Sequence, residues 1–425
     1  MPIDRRNFLS GLAAIPALAA WSTSRAAPVL SATNYGLTYA KATRGNGWIE
    51  IDAAGFERNI AELRKLIGTG PQAPQICAVM KADAYGHGLD LLMPSVRRAG
   101  ITCIGFTANE EARIARVLGF KGRLVRLRTA TLEEVEDGFA YGVEELVGNL
   151  AFARALSAIA QKKRRPLKIH FMLNSTGMSR NGLELVTPQG QADAQAIAML
   201  PHLDVVALAS HFPVEDVADM TPSLVRFRSD TDWVFAHCGL KRERVKLHVA
   251  NSFATLNLPE ARLDMVRPGG ALYGDTDPKF GQFKSIMTFK SRVATVNAYP
   301  AGDTVCYDRT YKLTRDSWLA NLPIGYSDGY RRVFSHKNQP APDATQAYAL
   351  VRGHKLPVVG RVTMNTLMVD ATDFKDEIRL DDEVVLYGRQ GDAEITREEL
   401  EAISDTIGAD FYTVWGNSMP KVLKP

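Results

Sequence analysis

The chain has little cysteine, four residues in 425, which excludes a scaffold built on disulfides. It has no apolar run of about 18 residues, so no segment is long enough to span a membrane as a helix. No Gly-x-Gly-x-x-Gly turn opens its first helical segment, which argues against a dinucleotide-binding open sheet. Charge of one sign is missing too. Lys and Arg number 51 against 47 Asp and Glu, a balance of +4, too small and too scattered a surplus for nucleic acid. The one tight basic run, 162–165, precedes Pro166 and reads as a solvated helix end. Nothing calls for a metal. What is present, 46% hydrophobic and 23% charged residues, is ordinary for a globular protein of two domains.

Residues 1–26 read as an address rather than as part of the fold. Arg5-Arg6 is followed by Phe8-Leu9 and a short apolar stretch rich in Ala and Gly, ending in small residues near Ala26 and Ala27. The stretch resembles a bacterial twin-arginine signal peptide, with Asp4 where that pattern has Ser or Thr. Its loss removes Arg5, Arg6, Arg25 and Asp4, so the mature balance falls from +4 to +2. The expected destination is the periplasm. Residues 27–46 are an N-terminal extension.

From residue 47 short apolar runs alternate with helical patterns. Strands are expected at 76–80, 103–106, 124–127, 145–147, 168–173, 205–209, 245–249 and 265–266, with helices such as 54–67, 110–118, 150–161 and 224–237 between them. That alternation predicts an α/β fold with a (β/α)8 barrel of the TIM type over 47–280. After residue 281 the pattern changes. Segments 287–296, 318–322, 347–351, 357–362, 366–369 and 383–386 lack intervening helices and predict a mainly-β domain over 281–425. Its one clear helix is 396–407, opened by Thr396 with Glu398 and Glu399 behind it. Residues 339–346, with two prolines, read as a surface loop.

The most informative segment is AVMKADAYGHG, in which Lys81 directly follows the first barrel strand. A lysine at the C-terminal end of a barrel strand points into the mouth where barrel enzymes work. A lone strand-end lysine is more often a surface charge, but here other functional residue types recur at other strand ends. His211 follows the sixth strand, Asn251-Ser252 the seventh and Arg267-Pro268-Gly269-Gly270 the eighth. Free backbone N–H groups at the glycines, with the Ser252 hydroxyl, suit a phosphate. A lysine facing such a cradle suits a pyridoxal phosphate Schiff base.

Beyond these residues the chain resembles the alanine racemase family, the barrel-type pyridoxal phosphate enzymes, over nearly all its mature length. The matching segments are AVMKADAYGHG, TGMSRNG, SHF, HVANS, VRPGGALYG, TVCYDRTY, PIGYSDGY, VGRVTMN and FYTVWGNSMPKV, in the family's order. The resemblance implies a head-to-tail homodimer with each site completed by its neighbour. It implies that Lys81 tethers the cofactor and is one base, and that Tyr307 of the partner subunit is the other. Arg267 would contact the pyridine nitrogen with His248 steadying it. Tyr85, Ser252, Gly269, Gly270 and Tyr412 would bind the phosphate. Arg180 would approach the cofactor's phenolic oxygen and the substrate carboxylate, which the Met364 N–H would also take. His211 would lie against the ring and in a hydrogen-bond chain with Tyr307, and Tyr326 would line the entrance. The chemistry fits on its own terms: racemisation removes a proton from one face of Cα and returns one to the other, so two bases must flank the carbon.

Departures from the alanine enzymes cluster at the carboxylate end. Leu173 stands where they carry a lysine, often carbamylated, Asn365 where they have aspartate, and Asp308 where they have glycine. Two anions beside Arg180 are thus lost, and a small anion such as chloride, held by Asn174, would replace them. These changes and the export signal resemble the periplasmic broad-specificity amino-acid racemases, acting on free amino acids such as Lys, Arg, Met and Ala. The rivals are a strict alanine racemase, a non-catalytic cofactor carrier (such relatives lack the β-domain) and a decarboxylase, which carries a cysteine-based acid in a different C-terminal motif. Cys306 has no supporting base. His87 and Tyr330 read as structural. Cys77 and Cys103 begin the first two barrel strands, a placement that permits a disulfide in an oxidising compartment.

Overall fold

The computed structural model describes residues 45–424; the expected export signal and nearly all of the expected extension lie outside them. Eight parallel strands form the barrel: β2 (Gln75–Val79), β3 (Cys103–Phe106), β4 (Arg123–Arg126), β5 (Val143–Val147), β6 (Leu167–Met172), β7 (Leu203–Ala209), β8 (Lys246–His248) and β9 (Met265–Val266). Their order is β8-β7-β6-β5-β4-β3-β2-β9. The closing seam between β8 and β9 is bridged by single hydrogen bonds, from Asp264 N–H to Leu247 C=O (3.2 Å) and from Arg267 N–H to Ala250 C=O (2.9 Å). Helices lie between the strands because their apolar positions repeat at helical spacing. In Ala53–Ile67 the buried set is Gly55, Phe56, Asn59, Ile60, Leu63 and Ile67, with Asp52 capping the first turn through Gly55 N–H. The helix expected at 224–237 starts earlier, at Val217–His237, where Asp216 is the cap.

Strand β1 (Gly47–Ile51) is absent from the sequence reading, and it does not join the barrel. It pairs antiparallel with β10 (Met287–Arg292) and parallel with β18 (Lys421–Leu423), so residues 47–51 sit in the second sheet although the barrel was drawn from residue 47. That sheet also contains β11 (Thr295–Tyr299), β12 (Ser317–Leu322), β13 (Tyr348–Val351), β14 (His354–Val359), β15 (Leu367–Asp370), β16 (Glu383–Gln390) and β17 (Ala393–Ile395). The expected strand 287–296 is two strands, divided near Val293 and Ala294. The expected helix 396–407 stops at Ser404, and a second one follows at Gly408–Ser418. Thr396 accepts from Glu399 N–H and the Glu399 carboxylate accepts from Thr396 N–H, a reciprocal cap that fixes the first start. Among the described residues no helix is long and apolar enough to cross a membrane.

Candidate active site

Lys81 stands two residues beyond the end of β2, at the mouth of the barrel. There the chain adopts a conformation that L-residues avoid: Ala82 (φ 53°, ψ 51°), Asp83 (φ 54°, ψ 50°) and Ala84 (φ 57°, ψ 52°) form a left-handed turn, and Tyr85 continues it at φ 54°. Left-handed helix costs about 1–2 kcal/mol per residue, so this turn stores roughly 4–8 kcal/mol that its contacts must offset. Within the turn, Ala84 N–H reaches Met80 C=O (2.9 Å) and Gly86 N–H reaches Ala82 C=O (2.8 Å). The result is that Lys81 and Tyr85 both face the mouth, lining two adjoining cavities.

The smaller cavity, about 240 Å³, is lined by Lys81, Arg180, His211, His248 and Arg267. Burial, then the Arg180 charge, holds the Lys81 amine below its usual 10.5. Burial, then Arg267, pushes His211 down to about 3, so its ring is neutral. Arg267 is itself buried, which lowers it to about 10 and leaves it cationic at neutral pH. Its guanidinium donates to Nδ1 of His248, to Ser210 C=O (2.8 Å) and to Nδ1 of His211 (3.1 Å). Behind it a buried file continues through His170 to Glu144 (2.8 Å at each step) and on to Arg123 (2.7 Å).

The larger cavity, about 690 Å³, is lined by Lys81, Tyr85, Ser252, Gly270, Glu215 and Asp275. Ser252 opens the helix Ser252–Asn257, whose cap is Asn251. Its hydroxyl accepts Gly269 N–H (2.9 Å) and Ala271 N–H (3.1 Å), leaving the hydroxyl proton for a ligand. A Cβ on Gly269 would lie 2.3 Å from the Tyr85 hydroxyl, so only glycine lets the tyrosine reach this cradle. Burial keeps the Tyr85 phenol protonated, and thus a donor. An amine, a guanidinium on the far side and a cradle of hydroxyl and backbone donors together fit a flat ring carrying a phosphate.

Other residues singled out in the sequence fall elsewhere. Tyr412 does not line either cavity. On its helix Ala409 and Thr413, four apart, face the larger cavity, and Tyr412 is turned about 100° away from Thr413, into the core, where its hydroxyl meets Tyr387 (3.2 Å). Tyr307, Met364 and Tyr326 are exposed, Tyr307 to 66%, on the β-domain and outside both cavities. Arg180 is exposed in the single chain rather than buried. Asn174, expected to hold a small anion, gives its amide to the Glu184 carboxylate (3.0 Å) and takes Ser179 N–H (2.8 Å). The amide has a second proton, which makes only a long contact with the Ser179 hydroxyl (3.4 Å). Cys77 and Cys103 lie in register on β2 and β3 and are buried free thiols, where the sequence permits a disulfide. Neighbouring strands run about 4.7–4.9 Å apart, inside the Cα separation of about 4.4–6.8 Å that a disulfide takes, so the strand spacing does not oppose the bond. His87 is buried against Ala84 and Tyr85 carbonyls, a structural place.

Sequence reasoning missed His170, Glu144 and Arg123. Each is a polar residue on a barrel strand that carries a second charged residue, Lys168, Glu145 or Arg126 respectively, so no break in an apolar pattern marked it; charge within a barrel strand was the available signal.

Comparison with known proteins adds the decisive observation. The family pattern described as alanine racemase, N-terminal domain, matches residues 51–277, and the one described as alanine racemase, C-terminal domain, matches residues 286–423. The chain belongs to the alanine racemase family. A broad specificity amino-acid racemase of Pseudomonas taetrolens is 53% identical over 399 residues, 94% of each chain. A lysine racemase of Proteus mirabilis is 46% identical over 378 residues, 89% of each chain. Among solved structures, an alanine racemase from Bartonella henselae with covalently bound pyridoxal phosphate superposes with a TM-score of 0.76 at 25% identity, covering 89% of this chain and 99% of that one.

Proposed function

We propose that this protein is a pyridoxal-phosphate-dependent racemase that interconverts the L- and D-forms of several amino acids. The observation that carries the reading is the placement of Lys81 between Arg267 and the Ser252–Gly269 cradle, at the junction of the two cavities. Bound there, pyridoxal phosphate supplies the electron withdrawal that acidifies the Cα–H bond of an amino acid. Tyr85, Ser252 and Gly270 would hold the phosphate, with Gly269, whose N–H goes to the Ser252 hydroxyl, leaving Tyr85 room to reach it. Arg267 would hold the ring nitrogen without giving up its proton, and Lys81, with its lowered proton affinity, would tether the group and move a proton on one face of Cα.

The second face needs a base other than Lys81, and Tyr307 lies outside both cavities of its own chain. Tyr307 of the partner subunit is our assignment, in a homodimer that also brings Met364 to the substrate carboxylate. Its support is the exposure of Tyr307, Met364 and Tyr326 on one chain. A chloride at the carboxylate end would be held by Arg180 and by the Asn174 amide proton that Glu184 does not take. Export to the periplasm by the twin-arginine route follows from Arg5-Arg6, and after export Cys77 and Cys103 would close to a disulfide.

Breadth of substrate rests on Leu173 and Asn365, which take two negative charges from the carboxylate end, and on the two relatives named above. The test is a racemisation screen of L-lysine, L-arginine, L-methionine and L-alanine. Rates within about tenfold of one another, roughly 1.4 kcal/mol of barrier, are expected. A preference for alanine above about a thousandfold would establish the strict alanine enzyme instead.

A further inference from the structure

The left-handed turn behind Lys81 is held from two directions. From the barrel side, the Glu111 carboxylate accepts Asp83 N–H (3.0 Å) with one oxygen and Thr107 and Ala108 N–H (2.8 and 2.9 Å) with the other. From the β-domain side the contact is closer. A Cβ on Gly416 would fall 1.9 Å from Gly86 C=O, and one on Gly86 would fall 2.0 Å from Tyr412 C=O. Backbone therefore lies directly on backbone where the helix Gly408–Ser418 meets the end of the turn.

Lys421, the first residue of β18, completes this second clamp. It is only 4% exposed. Its ammonium donates to Gly416 C=O (2.5 Å) and pairs with the Asp83 carboxylate (2.9 Å). The other Asp83 oxygen takes Leu89 N–H (2.7 Å). Asp83 is two residues from Lys81 and inside the strained turn, so the ammonium ties the β-domain to the segment that aims the amine. A buried ammonium is retained only where its partners are well placed.

We infer that Lys421 is a positioning residue for Lys81: by gripping Asp83 and Gly416 together, it keeps the left-handed turn from relaxing and makes seating of the β-domain a condition for a correctly aimed amine. β18 pairs with β1 through its backbone, so removing the ammonium leaves the strand's own ladder intact. The inference rests on Lys81 being the cofactor lysine.

The test uses the full-length holoenzyme with Lys421→Met, Lys421→Arg, Asp83→Asn and the double variant Lys421→Met/Asp83→Asn. Far-ultraviolet circular dichroism reports folding. The induced dichroism of the cofactor band and the rate of cofactor loss report the aim of Lys81, and kcat and KM are read separately. Expected for Lys421→Met and for Asp83→Asn are a weakened induced signal, cofactor loss faster by about tenfold or more, and kcat lower by about tenfold with KM within about twofold. The double variant should be no worse than either single one, and Lys421→Arg should stay within about threefold of wild type. Loss of melting temperature alone, with induced signal and cofactor retention as in wild type, would overturn the inference, as would additive losses in the double variant. If Lys421→Met does not fold, Asp83→Asn carries the same decision. Borohydride fixation of cofactor to Lys81 in the wild type separates the two questions: its absence removes the reading of Lys81 itself, while its presence beside unaltered variants removes only the role of Lys421.

Discussion

Arg267 donates to Nδ1 of His248, and that single bond sets the proton positions of the file behind it. Arginine has donors only, so Nδ1 of His248 must be bare. The neutral ring then carries its proton on Nε2 and presents it to Nδ1 of His170, which presents its own Nε2–H to the Glu144 carboxylate. Burial and Arg267 hold His248 well below its usual 6.5, in keeping with a neutral ring. The guanidinium at the mouth is thus oriented by a carboxylate three groups away, at the level where β5 begins.

Glu144→Gln tests that file through stability. Burial alone would raise the Glu144 carboxyl, but the bonds from His170 and Arg123 prevail and bring it from 4.5 down to about 2. A depressed carboxyl contributes stability that is full above about pH 4.5 and is lost as the pH falls through 2, an effect of roughly 3 kcal/mol. Urea unfolding of wild type and variant should therefore differ most near neutrality and converge toward pH 2. A difference independent of pH over that range would reject the ion-pair assignment.

The proton affinity of Lys81 is set by burial first and by Arg180 next. Association of pyridoxal phosphate with the apoprotein should accelerate as the pH rises through a value below 10.5, where the amine loses its proton. Arg180→Met should move that midpoint upward, since a neighbouring cation has gone. An unmoved or lowered midpoint would contradict the arrangement.

Tyr307→Phe should leave the cofactor bound and slow racemisation by about 10²–10⁴ in both directions. Lys81→Ala should abolish both borohydride fixation and activity. If sites are shared, mixing and reassociating the two inactive proteins in equal amounts restores one intact site in half of the dimers, about a quarter of wild-type activity. A mixture that remains inactive while forming mixed dimers would place Tyr307 outside the partner's site.

Gly269→Ala should cost cofactor affinity rather than fold. The new methyl would sit 2.3 Å from the Tyr85 hydroxyl, so the tyrosine must leave the cradle. Equilibrium dialysis should show pyridoxal phosphate held at least about tenfold more weakly, one hydrogen bond to a charged group being worth roughly 1.5–3 kcal/mol. Wild-type affinity would mean that Tyr85 does not touch the phosphate.

Most of the barrel was legible because its strands are short, mainly apolar runs and its helices keep one apolar face. Lys81, His211, Ser252 and Arg267 were legible because each closes a strand, where side chains converge on the mouth. What escaped needed three dimensions. β1 has no local mark of belonging to a sheet whose other strands begin at Met287. The Tyr412 side chain depends on the rotation of its helix, which one position decides. Asn174 finds Glu184 through a loop, and Lys421 finds Asp83 from the other domain; no spacing in the chain announces such pairs.

Strand β1 carries a consequence for any attempt to divide the molecule. It lies between β10 and β18, with almost the whole described chain separating Ile49 from its neighbour Lys421. A fragment beginning at residue 281 would have a slot where its sheet should be continuous, with unpaired backbone on both sides of the gap. A fragment ending at residue 280 would carry β1 as an orphan strand. The two family patterns divide the sequence cleanly, one ending at residue 277 and the other beginning at 286, but the molecule is stitched across that line, and neither half is a transplantable module.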